Sequence, residues 1–437
     1  MRTLTVFCKA FRMMRRGIFL LLICLFSLNV QAQDKKALKK ATKYAKKGEK
    51  AYEKRNFEKS VFWFTAAIDQ NPNLDDYYYQ LSKSNLVLLN DSAIIADCNK
   101  GIQLNPSKSQ CYYLRGRGYS FSGLHQAAFN DFTTHATIHG ETKETLVGKA
   151  QSLFGLKDYR EAIPYYNEII AMEPKRADYY FARAFCFIHT DNLDKAELDL
   201  KSLGELADLT AWDYQFIQGL FYLRKKEFQK SIIAFDSFVT DTNGYVHLLS
   251  PDIYWYFSNA YHANGQLDSA IIQINKAIDS QESAKYYLDR GNYYAELEDM
   301  DNALLDYSKA IELDSSTTGA YNNRTFYIWF PQKKFQNAVQ DMTAIIDLDQ
   351  YNAYAYSNRS YAYYGLKDFE HAFIDAFKSV ELEKRNPYVY KNLALLYFAI
   401  GEKEEATNAV KGALNWGFPV ESDVEFQTVM KELGFEE

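Results

Sequence analysis

The sequence is poor in the residues that would support a disulfide framework, a membrane bundle or a fibre. Its 437 residues include five cysteines, eight prolines and 20 glycines, and the only extended apolar run is Gly17–Val30. A multi-span membrane protein is therefore excluded. With 47% hydrophobic and 24% charged residues, the chain has a globular composition, neither disordered nor collagen-like. The unusual abundance is of rings, with 35 tyrosines and 30 phenylalanines.

Signatures of catalysis are also missing. The sequence contains no G-x-S-x-G, no G-x4-G-K-[ST], no H-E-x-x-H and no C-x-x-C. His135 and His139 are four residues apart, with His125 upstream, but a third ligand is not evident and we interpret them as surface histidines. We therefore expect no catalytic residues, no cofactor and no metal.

The N-terminus has the three-part layout of a secretory signal. Arg15 and Arg16 precede the apolar run, which is too short for a comfortable bilayer span, and Val30 and Ala32 supply the small residues of a cleavage site. We predict a signal peptide over residues 1–32, a mature chain that begins at Gln33, and export to the periplasm or cell envelope of a bacterium. The start codon stays open between Met1, Met13 and Met14. Cys24 lacks the small preceding residue of a lipobox.

The mature chain keeps three widely spaced cysteines, Cys98, Cys111 and Cys186. An odd number at such spacing is not a disulfide framework. We expect buried thiols, and a Cys98–Cys111 pair stays open.

Charge is distributed unevenly. Removing the predicted signal peptide, which holds five basic and no acidic side chains, takes the formal net charge from −6 to −11. Residues 33–50 hold eight lysines against Asp34 and Glu49, which leaves 37 basic and 54 acidic residues in the rest of the chain. Because an acidic body repels phosphate backbones, nucleic-acid binding is not expected. We interpret the lysine run as the solvated face of a first helix, with anionic lipid or an acidic partner left open.

Two columns of small residues repeat along the chain at a nearly constant step. The second column follows the first by twelve residues, or thirteen in the ninth copy, and its one exception is Ile94. The first small column is Gly48, Ser82, Gly116, Ala150, Ala184, Gly219, Ser258, Gly291, Thr325, Ser360 and Ala394; the second is Ser60, Ile94, Ala128, Ala162, Ala196, Ser231, Ala270, Ala303, Ala338, Ala372 and Ala406.

The spacing predicts pairs of short antiparallel helices, because two helices approach closely only where small side chains meet. Apolar residues at i, i+3 and i+4 around each column give each helix a buried stripe. The clearest copy is residues 286–314, YYLDRGNYYAELEDMDNALLDYSKAIELD, with its polar turn between Glu296 and Asn302.

This pattern resembles the tetratricopeptide repeat in its 34-residue period, in both small columns and in an aromatic residue four after the second column. That aromatic residue is present in five copies, as Phe64, Phe132, Tyr166, Phe235 and Tyr307. We count eleven repeats from about Ala41 to Val420. The proline that ends each copy of the family pattern is present only at Pro72, Pro106 and Pro174, so the match to that pattern is incomplete. The resemblance implies an all-α, right-handed α-α superhelix of about eleven helix pairs whose first helices line a concave face.

Arginine precedes the first small column in five copies, and each of these copies has an aspartate at a matching place in its second helix. The pairs are Arg115 with Asp131, Arg183 with Asp199, Arg290 with Asp306, Arg324 with Asp341 and Arg359 with Asp375. We predict structural arginine–carboxylate contacts between the two helices of a repeat. Asp97 stands at the same place in the second repeat without an arginine partner.

Two irregularities break the array. The loop at residues 241–250 separates an N-terminal array, residues 33–240 with about six repeats, from a C-terminal array, residues 251–420 with about five. In the ninth repeat we expect FYIWFPQKKF to widen the inter-helix turn and leave Trp329 and Phe330 near its tip. We predict a capping helix in residues 421–437, capped by Ser422 and Asp423, with Val424, Val429, Met430 and Leu433 on its buried face.

The outward positions of a first helix lie three before, one after and four after the first small column. Rings concentrate there in repeats five to ten, except the eighth, and we predict partner binding by Phe181, Phe185, Phe216, Trp255, His262, Phe326, Trp329, Tyr361 and Tyr364, with Phe398 at the same stripe in the last repeat. The leading hypothesis is an exported scaffold or adaptor, not an enzyme, that binds a protein or peptide segment in an aromatic groove. The alternative is a carbohydrate- or cell-wall-binding protein, since rings also stack on sugars.

Overall fold

The computed structural model describes residues 35–206, 211–241 and 252–435, without the side chains of residues 211–213, 241 and 422. The predicted signal peptide at 1–32 and its cleavage site lie outside these residues, as does the predicted loop at 241–250 except for Asp241, which ends a helix. Within the described ranges every regular element is helical, which confirms the predicted all-α fold. No helix there is both long and apolar enough to cross a membrane.

The chain forms two compact units, the first ending at Ile217 and the second beginning at Gln218. The first unit contains α1 (residues 35–53), α2 (Phe57–Gln70), α3 (Asp75–Val87), α4 (Asp91–Leu104), α5 (Ser109–Phe121), α6 (His125–His139), α7 (Lys143–Gly155), α8 (Tyr159–Met172), α9 (Ala177–His189) and α10 (Leu193–Glu205). The boundary falls inside α11 (Ala211–Arg224).

The second unit continues with α12 (Phe228–Asp241), α13 (Asp252–Ala263), α14 (Leu267–Ser280), α15 (Ala284–Glu296), α16 (Met300–Leu313), α17 (Thr318–Arg324), a π-helix (Thr325–Trp329), α18 (Phe335–Leu348), α19 (Ala353–Gly365), α20 (Phe369–Leu382), α21 (Pro387–Ala399), α22 (Lys403–Asn415), a 3₁₀ turn (Val420–Ser422) and α23 (Val424–Glu432). In both units the helices pack as consecutive pairs, odd-numbered with even-numbered, as the two small columns predict.

Both small columns are buried, and their contacts explain why the residues are small. Ile94, the exception in the second column, is fully buried like the rest. Where the first column is glycine, the aromatic ring four residues after the second column lies against it. A Cβ added at Gly291, for example, would sit 2.8 Å from Cε1 of Tyr307. The glycine therefore makes room for the ring of the paired helix, in addition to letting the backbones approach.

The five predicted arginine–aspartate contacts are confirmed. Each aspartate is buried, and each guanidinium donates two hydrogen bonds to it, as in Arg290 Nε and Nη2 to the two carboxylate oxygens of Asp306, both at 2.7 Å. The other four pairs repeat this bidentate geometry at 2.6 to 2.9 Å. Such planar, charge-assisted pairs are among the stronger hydrogen bonds in proteins.

Each arginine has a third partner that the alignment of the repeats did not predict. Its Nη1 donates to a polar side chain in the second helix of the preceding repeat: Asn99, Asn167, Asn275, Ser308 and Thr343. The guanidinium also lies between two rings, as Arg290 does between Tyr287 and Tyr294, whose centroids are 5.2 and 5.9 Å from its central carbon. We call this unit the arginine clamp. It ties three helices together and accounts for many of the tyrosines.

Every turn between the two helices of a repeat contains one residue with positive φ. It lies seven residues after the first small column, or eight in the ninth repeat. Eight of these residues are not glycine, namely Arg55, Leu89, Lys157, Asp191, Lys226, Glu298, Lys333 and Lys367, and three are Gly123, Gly265 and Gly401. The left-handed conformation is therefore imposed by the helix pair and not by glycine, which alone adopts it without strain.

The extra residue of the ninth repeat lies in the first helix, not in the turn, which corrects our expectation. The π-helix Thr325–Trp329 adds it directly after α17. This rotates Trp329 into the core, where its side chain is 7% exposed and its indole Nε1 donates to Asp341 at 2.8 Å. The tryptophan thus joins the arginine clamp of Arg324 instead of lying at the tip of a turn.

The predicted capping helix is α23, and its buried face differs in part from the prediction. Asp423 caps it by accepting a hydrogen bond from the backbone N–H of Phe426 at 2.9 Å. Phe426 and Val429 are buried, and Met430 and Leu433 pack partly against the same core. Val424 is 74% exposed, so its assignment to the buried face is wrong. It is the first residue of the helix.

Candidate functional site

The predicted rings of the first unit contact one another and are half-buried. Phe181 of α9 stacks on Phe216 of α11 with centroids 6.5 Å apart. Phe185 lies 5.1 Å from Phe154 and 4.3 Å from His189. These rings therefore pack between neighbouring first helices, which leaves only part of each ring accessible.

In the second unit, Trp255 and His262 are half-buried with their polar edges bound to carboxylates of the next repeat. Trp255 Nε1 donates to Asp289 at 2.6 Å, and His262 Nε2 lies 2.7 Å from Glu296 Oε1. Burial raises the pKa of Asp289, and the indole hydrogen bond opposes this shift. These pairs join neighbouring repeats and fix the rings, whose faces are also partly covered: His262 stacks on Tyr293 with centroids 4.7 Å apart, and Lys285 Nζ lies 4.5 Å from the centroid of the Trp255 ring.

Phe326 is the predicted residue that remains most open, with 66% of its side chain exposed. It belongs to the π-helix, whose wider turn leaves Phe326 outside while Trp329 goes inside. The assignment of Trp329 as an outward anchor is therefore wrong, because the inserted residue shifts the register of the helix by one position. π-Helical turns occur frequently at functional sites.

Tyr361 and Tyr364 of α19 are covered by the C-terminal helix. Both hydroxyls donate to the carboxylate of Glu425, at 3.2 and 2.9 Å. Burial, and secondarily Glu425, raises the pKa of both phenols well above its usual range. Phe398, on the equivalent stripe of α21, is half-buried. These two tyrosines therefore already have a partner within the chain.

The sequence analysis missed several exposed rings, of which Tyr354 and Tyr388 lie next to each other. Tyr354 and Tyr388 are 52% and 43% exposed, and their centroids lie 6.4 Å apart on α19 and α21. Each stands six residues before the first small column, one turn ahead of the positions that we considered. Because residues seven apart share a helix face, extending the stripe by one turn would have found them. We call Phe326, Tyr354 and Tyr388 the exposed ring set.

Metal and thiol chemistry find no support in the described residues. No group of three or more His, Cys, Asp or Glu side chains there is arranged to hold a metal ion. His135, which we expected at the surface, is buried, and its Nδ1 lies 2.8 Å from the carbonyl oxygen of Ser109. Cys98, Cys111 and Cys186 are free and buried. Burial raises the pKa of Cys186 to about 12, which makes its thiol unreactive.

The geometry suits non-covalent recognition. The exposed ring set offers apolar faces on three successive first helices, and arginine clamps at Arg324 and Arg359 hold the helices of the first two of these repeats in place. Rings of this kind dominate the energy of protein interfaces.

Comparison with known proteins agrees with the repeat assignment. Residues 147–205 and 284–317 match family models described as tetratricopeptide repeat. The mitochondrial import receptor subunit TOM70 of Homo sapiens is 21% identical over 310 residues, which cover 67% of this chain and 50% of that protein. The DnaJ homolog subfamily C member 3 of Homo sapiens is 24% identical over 221 residues, or 47% of this chain and 44% of that protein. The chain thus spans about half the length of these relatives.

Solved structures of similar fold include the APC/C hetero-tetramer Cut9-Hcn1, with a TM-score of 0.45 and 13% identity over 90% of this chain and 96% of that chain. A tetratricopeptide repeat protein from Parabacteroides merdae gives a TM-score of 0.44 and 15% identity over 66% and 99%. Over the two matched stretches the chain is therefore similar to the tetratricopeptide repeat.

Proposed function

We propose that the protein is a scaffold or adaptor that binds a segment of another protein on the first-helix side of its second unit. The observation that carries the proposal is the exposed ring set. Tyr354 and Tyr388 lie side by side, with centroids 6.4 Å apart. Soluble monomers seldom expose large apolar patches without a function, and aromatic residues are enriched at interface hot spots. Phe326, Tyr354 and Tyr388 are open to solvent and belong to three consecutive repeats.

The similarity to an import receptor subunit supports a role in protein binding, as do the two family matches. The proposal assigns no catalytic step to the chain. Its support comes from repeat type and surface chemistry, and the partner is defined by that chemistry as a protein segment with apolar or aromatic side chains.

We further propose that the protein works outside the cytoplasm of a bacterium, after removal of residues 1–32. The support is the basic, apolar and small-residue order of this segment. Intact-mass measurement on protein from the envelope fraction tests it, with a mature chain beginning at Gln33 as the expected result. A chain that retains the leader, or a lipid on Cys24, would contradict the proposal.

Affinity capture from envelope extract tests the binding surface. The triple substitution Phe326→Ala, Tyr354→Ala and Tyr388→Ala should abolish capture, since each hot-spot ring is worth about 2 kcal/mol. The matched control replaces three apolar side chains of similar exposure on the second helices, Ile272, Leu305 and Ile374, by alanine and should keep capture. If the control variant loses binding and the ring variant keeps it, the proposed surface is wrong. Loss of capture after glycan digestion would favour a carbohydrate ligand.

A further inference from the structure

The last helix reaches further back along the array than repeat packing requires. Contacts between neighbouring first helices in the second unit join residues about one repeat apart, such as Trp255 with Asp289, 34 positions on. Glu425 instead contacts Tyr361 and Tyr364, which are 64 and 61 positions earlier. The segment at the start of α23 therefore crosses α21 to reach α19, which an end cap on the last pair alone would not need.

The groups that it meets are all hydrogen-bond donors on the outward side of the first helices. The hydroxyls of Tyr361 and Tyr364 donate to Glu425, and the ammonium of Lys391 in α21 lies 3.3 Å from Asp423 Oδ2. Lys391 Nζ is also 3.9 Å from the centroid of the Tyr361 ring. We call Tyr361, Tyr364 and Lys391 the donor cluster.

The ammonium of Lys391 makes this cluster selective for anions. Its residue is 7% exposed, and burial lowers its pKa while Asp423 opposes that shift. A buried ammonium without a counter-charge is costly, so a carboxylate beside Lys391 stabilises its charged form and is the ligand that the cluster favours. Asp423 and Glu425, two residues apart, supply carboxylates to Lys391 and to the tyrosines.

A different set of contacts anchors α23. Phe426 is buried against the core formed by α20, α21 and α22 and the segment after them, and Val429 of the same helix is buried as well. The acidic residues Asp423 and Glu425 come first and the apolar anchors follow. The segment thus has the composition of a short peptide ligand, with two charged contacts for selectivity and two apolar contacts for affinity.

We propose that the donor cluster is a binding site for an acidic peptide segment, which the chain's own residues Asp423–Glu425 occupy until a partner with two carboxylates at the same spacing displaces them. The inference rests on the proposed function, because it defines the charge of the segment that the second unit binds. A partner must first release the C-terminal segment, so its apparent affinity is lowered by the fraction of chains in which the site is open.

The probe is a labelled synthetic peptide of residues 419–435, added to the full-length chain and measured by fluorescence anisotropy. In Asp423→Asn/Glu425→Gln protein the internal competitor is weakened, and we expect the peptide to bind at least tenfold more tightly than to wild type. A peptide with the same two substitutions should bind at least tenfold more weakly to that protein. Adding Lys391→Met to the protein should remove the gain, because the ammonium is then missing.

A second variant, Phe426→Ala, weakens the apolar anchor and leaves the donor cluster intact. Hydrogen exchange of amides in α23 measures the release of this helix, and exchange in α19 and α21 shows whether the array remains folded. Tighter peptide binding by both variants supports the proposal. It is overturned if neither variant gains affinity, or if Lys391→Met leaves the gain unchanged. A dimer of wild-type chains that exchange C-terminal segments would make a second copy the occupant and would also contradict it.

The peptide measurement needs no native partner, and capture through the exposed ring set needs no open donor cluster. Capture without peptide binding would refute only the acidic site. Peptide binding by a protein whose ring variant still captures its partner would refute only the proposed ring surface.

Discussion

The arginine clamp of the eighth repeat makes a quantitative prediction about what holds neighbouring helices together. Arg290 makes two hydrogen bonds to Asp306 and one to Asn275, all at 2.7 Å. Hydrogen bonds to charged groups contribute about 1.5–3 kcal/mol each, and removing one member of a buried pair costs about 3–5 kcal/mol. Arg290→Ala leaves the carboxylate of Asp306, 6% exposed, without its charge partner, and Asp306→Ala leaves the guanidinium. We expect each single variant to lose about 3 kcal/mol.

The double variant Arg290→Ala/Asp306→Ala removes both charges, so its loss should be smaller than the sum of the two single losses by about 1–3 kcal/mol. Because repeat stability is largely local, native-state hydrogen exchange of amides in α15 and α16 is the suitable assay. Asn275→Ala is the control: it removes only the third contact and should lower the free energy of unfolding by about 1.5 kcal/mol, the low end of the range for a hydrogen bond to a charged group. Strict additivity of the single variants, or a loss at Asn275 as large as that at Arg290, would refute the clamp as a coupled ion pair.

Two further predictions concern packing and pH. Gly291→Ala should lower the free energy of unfolding by about 1–3 kcal/mol, because the added Cβ would overlap the Tyr307 ring. The control, Gly319→Ala, should be neutral or stabilising, because its Cβ meets only the tip of a leucine side chain. Equal melting temperatures for the two variants would show that the small residue at 291 does not determine how closely the helices pack. Burial raises the pKa of Asp97 from 3.8 to about 6, so the folded state holds a proton that the unfolded state has already lost between these values. The protonated carboxyl group of Asp97 therefore contributes its full stabilisation of the folded state below pH 3.8, and this contribution is lost as the pH rises through 6. Asp97→Asn should therefore melt higher than wild type at about pH 7.5 by an amount that shrinks towards about pH 4.5; a constant difference would contradict the assignment.

Asp97 also shows how far the sequence carries the fold. Five aspartates could be assigned arginine partners from spacing alone, and all five contacts are present. The sixth, Asp97, could be identified as lacking an arginine. The sequence did not predict that the side-chain amide of Asn85 donates a hydrogen bond to it, at 2.9 Å. Small residues and ion pairs recur at fixed intervals, so the eleven repeats of a single sequence can be aligned and compared with one another. Contacts that occur once, such as this amide, have no such internal comparison.

The candidate site was harder to predict for the same reason. The outward stripe stays a prediction, because the accessibility of each ring depends on what lies beside it. Trp329 is buried because one inserted residue is absorbed as a π-helix instead of a wider turn, and the sequence allows both. Tyr361 and Tyr364 are covered because Glu425, far along the chain, folds back onto them. Neither event follows from helical periodicity.

The most direct test of partner binding is site-specific photo-crosslinking from the exposed ring set in envelope preparations. A photoreactive phenylalanine at position 326 should crosslink a protein partner. The same residue at position 305 should not, although Phe326 and Leu305 are both 66% exposed, because Leu305 lies on the second helix α16. Deleting residues 35–40, which contain four of the lysines of α1, should leave the crosslink at 326 unchanged. A crosslink from 305 and none from 326, or its loss on deletion of the lysines, would contradict binding on the first-helix side of the second unit.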